Sequence, residues 1–124
     1  MEFDDSIFDH PITEMMEAGR FDTYRICVYG GEGPIPHFHF YKTADDKSGG
    51  CIRLDKLEYF DHGHHQAKMN STIKNRAIEW LKSIPKTRFG HFTNNWEAMC
   101  YMWDIGNPAH PTDPQLEMPD YTKL

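Results

Sequence analysis

Apolar and polar side chains alternate along several stretches of this chain with the two-residue period of a half-buried β-strand. Residues 21–29 and 37–41 are rich in β-branched and aromatic side chains, and residues 51–54 repeat the pattern. Between these stretches, the Gly- and Pro-rich segment 30–36 is predicted to be a loop, and residues 43–50 are predicted to be a polar turn. The pattern therefore predicts three strands.

The second half of the chain changes to a helical period. Apolar side chains recur at the spacing of one helix face within residues 70–84, namely at Ile73, Ala77, Trp80, Leu81 and Ile84. Pro85 ends this predicted helix. A second helix is predicted at 94–105, where Asn94 and Glu97 have the spacing of a capping box. The run 98–103 is apolar nearly all round, which predicts either burial on several sides or a partner surface.

The two ends of the chain differ from this central region. Residues 6–18 are predicted to form a helix, because Gly19 stands where a left-handed C-terminal cap would fall. The last 18 residues hold four of the eight prolines and are expected to form an extended tail. The elements predict an α+β fold, with one face of a three-stranded antiparallel sheet packed on two helices. The expected divisions are an acidic N-terminal helical arm at 1–18, one α+β domain at 19–106, and a Pro-rich tail at 107–124.

Composition supports one folded domain and excludes several classes of protein. A length of 124 residues suits a single core, and 14 % aromatic residues argue against disorder. No apolar run approaches the roughly 20 residues of a membrane-spanning helix, and the N-terminal residues lack the pattern of a secretory signal. Three cysteines without disulfide-framework spacing are expected to be reduced thiols in a cytoplasmic protein.

The net charge of -6 is unevenly distributed. Residues 1–18 contain six acidic and no basic side chains, whereas residues 68–88 contain six basic side chains and one acidic side chain, a net charge of +5. The basic segment is either a solvated helix face or a site for an acidic partner such as a nucleic-acid backbone. The acidic total argues against a dedicated nucleic-acid-binding protein.

Strand alternation also predicts one apolar and one polar face of the sheet. The apolar face, expected to meet the Trp80 helix, holds Ile26, Val28, Phe38, Phe40, Ile52 and Leu54. The polar face is expected to be open for binding through Arg25, His37, His39, Tyr41 and Arg53. His37 and His39 point the same way, with Cβ atoms roughly 7 Å apart, and could chelate zinc or another transition metal. Cys27 and Cys51 could flank this pair as further ligands.

Other observations weaken the metal hypothesis. The pattern places no acidic third ligand beside the two histidines, which could instead satisfy ordinary hydrogen bonds. The spacing of Gly31, His37 and His39 partly matches the first cupin motif, but the glutamate that should follow the histidines is absent. Further candidate histidines lie in predicted loops, at His62, His64, His65 and His91. No phosphate loop, dinucleotide fingerprint or nucleophile elbow is present, so no cofactor and no catalytic residue are predicted.

The segment 35–41, Ile-Pro-His-Phe-His-Phe-Tyr, resembles a strand motif of small bacterial and phage proteins, the domain of unknown function 4160. The similarity extends over about residues 21–105, through Ile-Arg-Leu at 52–54, Ala-Ile-Glu-Trp at 77–80 and Asn-Trp-Glu at 95–97. The resemblance implies the same order of elements and no established activity. Genes of that family often neighbour a second small protein in arrangements suspected to be toxin–antitoxin pairs.

Three functional hypotheses follow. The first is a non-enzymatic interaction module, a toxin–antitoxin-like component or phage accessory protein, that binds another protein or a second copy of itself. Its partner surface would include Lys74, Arg76, Lys82, Met99, Tyr101 and Met102. The second is a metal site on His37 and His39, with hydrolysis as its reaction. The third is nucleic-acid binding through residues 68–88.

Overall fold

The computed structural model describes residues 15–42, 45–60, 71–85 and 90–120. Within these residues the chain forms five strands and two helices. The strands are β1 (Met15–Phe21), β2 (Tyr24–Tyr29), β3 (His37–Lys42), β4 (Asp45–Arg53) and β5 (Tyr59–Phe60). The helices are α1 (Ser71–Lys82) and α2 (Asn95–Gly106). The α+β class and the two helices predicted in the second half of the chain are confirmed.

The strands form one antiparallel meander in the order β1-β2-β3-β4-β5. The predicted three-stranded sheet is therefore wrong in strand number: four strands have six or more residues, and a two-residue fifth lies at one edge. Most of the predicted turn at 43–50 belongs to β4. A Cβ atom on Gly49 would collide with the backbone carbonyl of Phe40, so the glycine allows β4 to pack closely where its register with β3 shifts.

The N-terminal boundary of the domain differs from the prediction. Residues 15–18, expected at the end of a helix, lie in β1. This strand pairs with β2 across a tight turn in which Asp22 has a φ of 52°. Gly19 is not a helix cap. It lies beside a register shift in β1, where an added Cβ atom would be 2.6 Å from the Trp80 ring. The predicted residues 6–14 of that helix lie outside the described residues.

The hydrophobic core lies between the sheet and the two helices. The predicted apolar face is confirmed, because all six of its side chains are fully buried: Ile26, Val28, Phe38, Phe40, Ile52 and Leu54. Helix α1 contributes Ala77, Ile78 and Leu81. Helix α2 contributes Trp96, Met99, Met102 and Trp103, so the all-round apolar run is explained by burial on several sides.

Helix α2 has the predicted N-terminal cap. The Asn94 side chain accepts a hydrogen bond from the backbone N–H of Glu97, and the Glu97 carboxylate accepts one from the N–H of Thr93. The segment after the helix contains no helix or strand up to residue 120. It is held against α2, where the Trp103 indole donates to the carbonyl of His110 and the Asp104 carboxylate accepts from Thr112. Among the described residues, no helix has the length and apolar character needed to cross a membrane.

Candidate metal centre

The loop between β2 and β3 places a carboxylate beside the two histidines of β3. A single oxygen of Glu32, Oε1, lies 2.9 Å from Nε2 of His37 and 2.9 Å from Nε2 of His39. The ligand atoms of these three residues all lie within 4.8 Å of one another. The histidine side chains are 1 % and 5 % exposed, and that of Glu32 is 20 % exposed. Solvent therefore reaches this cluster mainly on the Glu32 side.

The loop is fixed by the C-terminal end of α2. Gly31, with a φ of 71°, donates its N–H to the carbonyl of Gly106. Asn107 is buried, and its Oδ1 accepts hydrogen bonds from the backbone N–H groups of Glu32 at 2.6 Å and Gly33 at 3.1 Å. Its Nδ2 donates to the carbonyl oxygens of Tyr29 and Trp103. These bonds hold the backbone of the acidic ligand in place.

Each histidine ring has a further close neighbour. The Nδ1 atom of His37 lies 2.7 Å from the carbonyl oxygen of Ile35, and that of His39 lies 3.3 Å from Sγ of Cys51. The Tyr29 ring also packs against His39 in an edge-to-face arrangement, with 4.7 Å between ring centroids. The Ile35 carbonyl therefore orients the His37 ring from its far side, and Nε2 of each histidine lies beside Glu32.

The hydrogen bond to Ile35 fixes the proton on His37. A carbonyl can only accept, so Nδ1 of His37 carries a hydrogen. In a neutral ring, Nε2 then presents its lone pair to Oε1 of Glu32 at 2.9 Å. Two acceptors at this distance repel each other unless a proton or a metal ion lies between them. Either a proton on Nε2 of His37, which would make the ring an imidazolium, or a metal ion bound to both atoms would remove this repulsion.

The predicted binding face contains the predicted residues but is not open. Strand register confirms that Cys27 and Cys51 flank His39 directly across the sheet. All five residues of the predicted face are buried or only partly exposed. Their three non-histidine members contact neighbouring side chains: Arg25 bonds Glu17, Tyr41 bonds Cys27, and Arg53 bonds Asp55. The predicted face is therefore only partly accessible, and its three non-histidine side chains already have hydrogen-bond partners.

Burial and neighbouring charges shift the pKa values of the groups around the two histidines. Burial raises the pKa of the Cys27 thiol above its ordinary value, so this sulfur is a protonated thiol at neutral pH. Burial likewise raises the pKa of the Tyr41 hydroxyl. The Arg53 guanidinium lowers the pKa of Asp55 through a two-point hydrogen bond. Cys27 bonds Tyr41, and its predicted role as a metal ligand stays a prediction without a described contact to either histidine.

The predicted partner surface is only partly exposed. Met99 and Met102 are 0 % and 2 % exposed and belong to the core, so they cannot form an outer surface. Tyr101 is 46 % exposed. On α1, Lys82 is exposed, Arg76 forms an ion pair with Asp22, and the Lys74 ammonium lies 5.7 Å from the centre of the Tyr59 ring. Lys68, Lys86 and Arg88 of the basic segment lie outside the described residues.

Among the described residues, the remaining histidine candidate does not join the cluster. His91 is exposed and packs on Phe92, while His62, His64 and His65 lie outside the described residues. Glu32 is the candidate ligand that strand alternation did not predict, because a strand pattern says nothing about how a loop folds back. One sequence signal was available: Glu32 is the acidic residue of the Gly- and Pro-rich loop that leads into His37.

Comparisons with protein-family models, curated proteins and solved structures found no match to this chain. The resemblance to the domain of unknown function 4160 therefore stays a prediction.

Proposed function

We propose that this protein binds one divalent transition-metal ion through Glu32, His37 and His39. The proposal rests on one observation: a single carboxylate oxygen of Glu32 lies 2.9 Å from Nε2 of both histidines. His37 cannot donate a second hydrogen bond in its neutral form, because its proton is on Nδ1. A metal ion between the three donors would replace this acceptor–acceptor contact with three favourable bonds.

The chemistry of the donors supports this class of ligand. Two imidazoles and one carboxylate form the protein ligand set of several catalytic zinc sites, and the same set binds Fe(II) in non-haem oxygenases. Protein ligands to a metal are usually oriented by hydrogen bonds to their far side. His37 has such a partner, because its Nδ1 lies 2.7 Å from the carbonyl oxygen of Ile35.

A hydrolytic role is the extension of this proposal that the donor set favours. Three protein ligands leave a coordination position for water, and zinc lowers the pKa of a bound water to about 7. Glu32, the most exposed of the three ligands, marks the side from which water or a substrate would arrive.

Metal titration tests the proposal. Protein stripped with a chelator should bind about one equivalent of Zn²⁺ or Co²⁺ in calorimetry, with proton release as the ligands bind. Glu32→Gln keeps the side-chain size and removes the anionic ligand, so affinity should fall at least about 100-fold, since losing an outer partner alone costs 10- to 100-fold. Glu117→Gln removes the same charge from an exposed position and should bind as the wild type does. Absent binding, or equal affinity of the wild type and Glu32→Gln, would overturn the proposal.

The interaction-module hypothesis, including a toxin–antitoxin-like role, stays a separate proposal. The support for this proposal is reduced because Met99 and Met102, two residues of the predicted partner surface, are buried. Of the three residues that α2 contributes to that surface, Tyr101 is exposed. Binding of nucleic acid through residues 68–88 is likewise a proposal, and the Arg76–Asp22 ion pair occupies one of its cations.

A further inference from the structure

The end of α2 and the residues just beyond it pack closely on the loop that carries Glu32. A Cβ atom on Gly106 would lie 3.2 Å from Cα of Gly30, so the two backbones approach to a distance that glycine allows. One residue further, the Asn107 side chain accepts the N–H of Glu32. The loop is therefore held at successive positions along its length.

His110 makes a further contact of this series, through its ring. A Cβ atom on Gly33, the residue that follows Glu32, would lie 2.5 Å from Cγ and 2.8 Å from Cβ of His110. The imidazole therefore occupies the space in which any other residue at position 33 would carry its side chain. The loop cannot move toward this ring without a steric collision.

The backbone of His110 is fixed independently of its ring. Its N–H donates to the carbonyl of Asn107 at 2.9 Å, and its carbonyl accepts from the Trp103 indole at 2.8 Å. The Trp103 ring also packs against His37, with 5.1 Å between ring centroids. One fully buried tryptophan thus contacts a histidine ligand and anchors the residue that packs beside the carboxylate ligand.

The ring of His110 has few other contacts in the fold. His110 is exposed, and within the described part of the chain its ring forms no hydrogen bond or ion pair. Removal of such a side chain ordinarily changes stability little. A change in metal affinity on its removal would therefore report on the contact with Gly33.

We propose that His110 is a positioning residue of the metal centre. Its ring packs on Gly33 and keeps the loop in the conformation that places the Glu32 carboxylate beside the two histidines of β3. The proposal rests on the metal-binding function proposed above. It assigns His110 no bond to the metal, because its nitrogens are not among the ligand atoms that lie within 4.8 Å of one another.

The test compares Zn²⁺ affinity, the visible spectrum of the Co²⁺-loaded protein and Tm. His110→Ala removes the ring and keeps both backbone bonds, so affinity should fall about 10-fold and the Co²⁺ bands should change. Its Tm should change by less than about 3 °C. His110→Phe keeps a flat ring and should retain the affinity and the spectrum. His91→Ala removes another exposed ring, which packs on Phe92, and should leave both unchanged.

A double-variant cycle isolates the contact itself. Gly33→Ala places a methyl group in the space that the ring occupies, so it should weaken Zn²⁺ binding about 10-fold in the wild-type background. His110→Gly removes both the ring and its Cβ atom, and in this background the same substitution should weaken binding less than about twofold. Equal losses in the two backgrounds would show that the contact is not the cause and would overturn the positioning role.

The outcomes separate the two proposals. A wild-type protein that binds neither Zn²⁺ nor Co²⁺ overturns the metal-binding function and this inference with it. A wild-type protein that binds metal while His110→Ala binds equally well, with an unchanged spectrum, overturns the positioning role alone. Binding by His110→Phe as weak as that of His110→Ala would assign the effect to the imidazole nitrogens, and a large fall in the Tm of His110→Ala would assign it to folding. Either result would also overturn the role.

Discussion

Asn107 offers a quantitative test of how the fold holds the acidic ligand. Its side chain makes four hydrogen bonds to backbone groups, two from Oδ1 to the loop N–H groups of Glu32 and Gly33 and two from Nδ2 to the carbonyls of Tyr29 and Trp103. The residue is 3 % exposed, so water does not compete for these bonds in the folded protein. Asn107→Ala removes all four.

The size of the effect follows from these bonds. Each typical intramolecular hydrogen bond contributes about 1 kcal/mol net, and a buried group left without a partner costs about 1–3 kcal/mol. The loop N–H groups are only partly buried and can bond water in the variant, which reduces the sum. We expect Asn107→Ala to lower the free energy of unfolding by about 2–4 kcal/mol. For a domain of this size, that lowers Tm by roughly 10 °C.

Thermal and urea unfolding, followed by tryptophan fluorescence, measures this loss. Gln115→Ala removes an exposed side-chain amide and should change stability by less than about 0.5 kcal/mol. The metal affinity of Asn107→Ala should also fall, because the backbone of Glu32 is no longer fixed. A stability of Asn107→Ala within about 0.5 kcal/mol of the wild type would refute this account of the loop.

Three further predictions concern stability. Met99→Ala should cost about 2–5 kcal/mol in urea unfolding, because it opens a cavity at a fully buried position; a loss near zero would place Met99 at a surface. Gly19→Val should lower Tm, since an added Cβ would be 2.6 Å from the Trp80 ring, whereas an unchanged Tm would contradict this packing. Asp55→Asn should cost about 1 kcal/mol at pH 7, where the ion pair with Arg53 is intact. Arg53 lowers the pKa of Asp55 from its ordinary value of 3.8. The stabilisation by the ion pair is therefore lost as the pH falls from 3.8 through the lower pKa of the folded protein, and the stability difference between the wild type and Asp55→Asn should disappear there. A difference that stays constant down to about pH 2 would exclude the ion pair as its cause.

The sequence predicted the parts of the fold in which periodicity and burial agree. The alternation at Ile26, Val28, Phe38 and Phe40 predicted the core face of the sheet. Pro85 correctly predicted that the first helix ends before it, and Asn94 correctly predicted the start of the second. It failed at β1, where local composition favours a helix and pairing with β2 overrides it. The need for glycine at position 19 follows from a tertiary contact, because an added Cβ atom would collide with the Trp80 ring.

The sequence predicted two of the three residues of the candidate metal centre. Strand alternation correctly placed His37 and His39 on one face with Cys27 and Cys51 beside His39. Glu32 could not be placed, because its position depends on hydrogen bonds between its loop and Asn107, a residue 75 positions away. From the sequence, the apolar run of α2 was compatible with either burial or a partner surface. The structure shows that Met99 and Met102 are buried.

X-ray absorption at the zinc edge of the Zn²⁺-loaded protein tests the central claim most directly. Binding through Glu32, His37 and His39 predicts a shell of nitrogen and oxygen neighbours at about 2.0–2.1 Å, with imidazole scattering beyond it and no sulfur neighbour. Glu32→Gln should lose this ordered shell. A sulfur neighbour at about 2.3 Å would show that Cys51 or Cys27 is a ligand and would contradict the assignment.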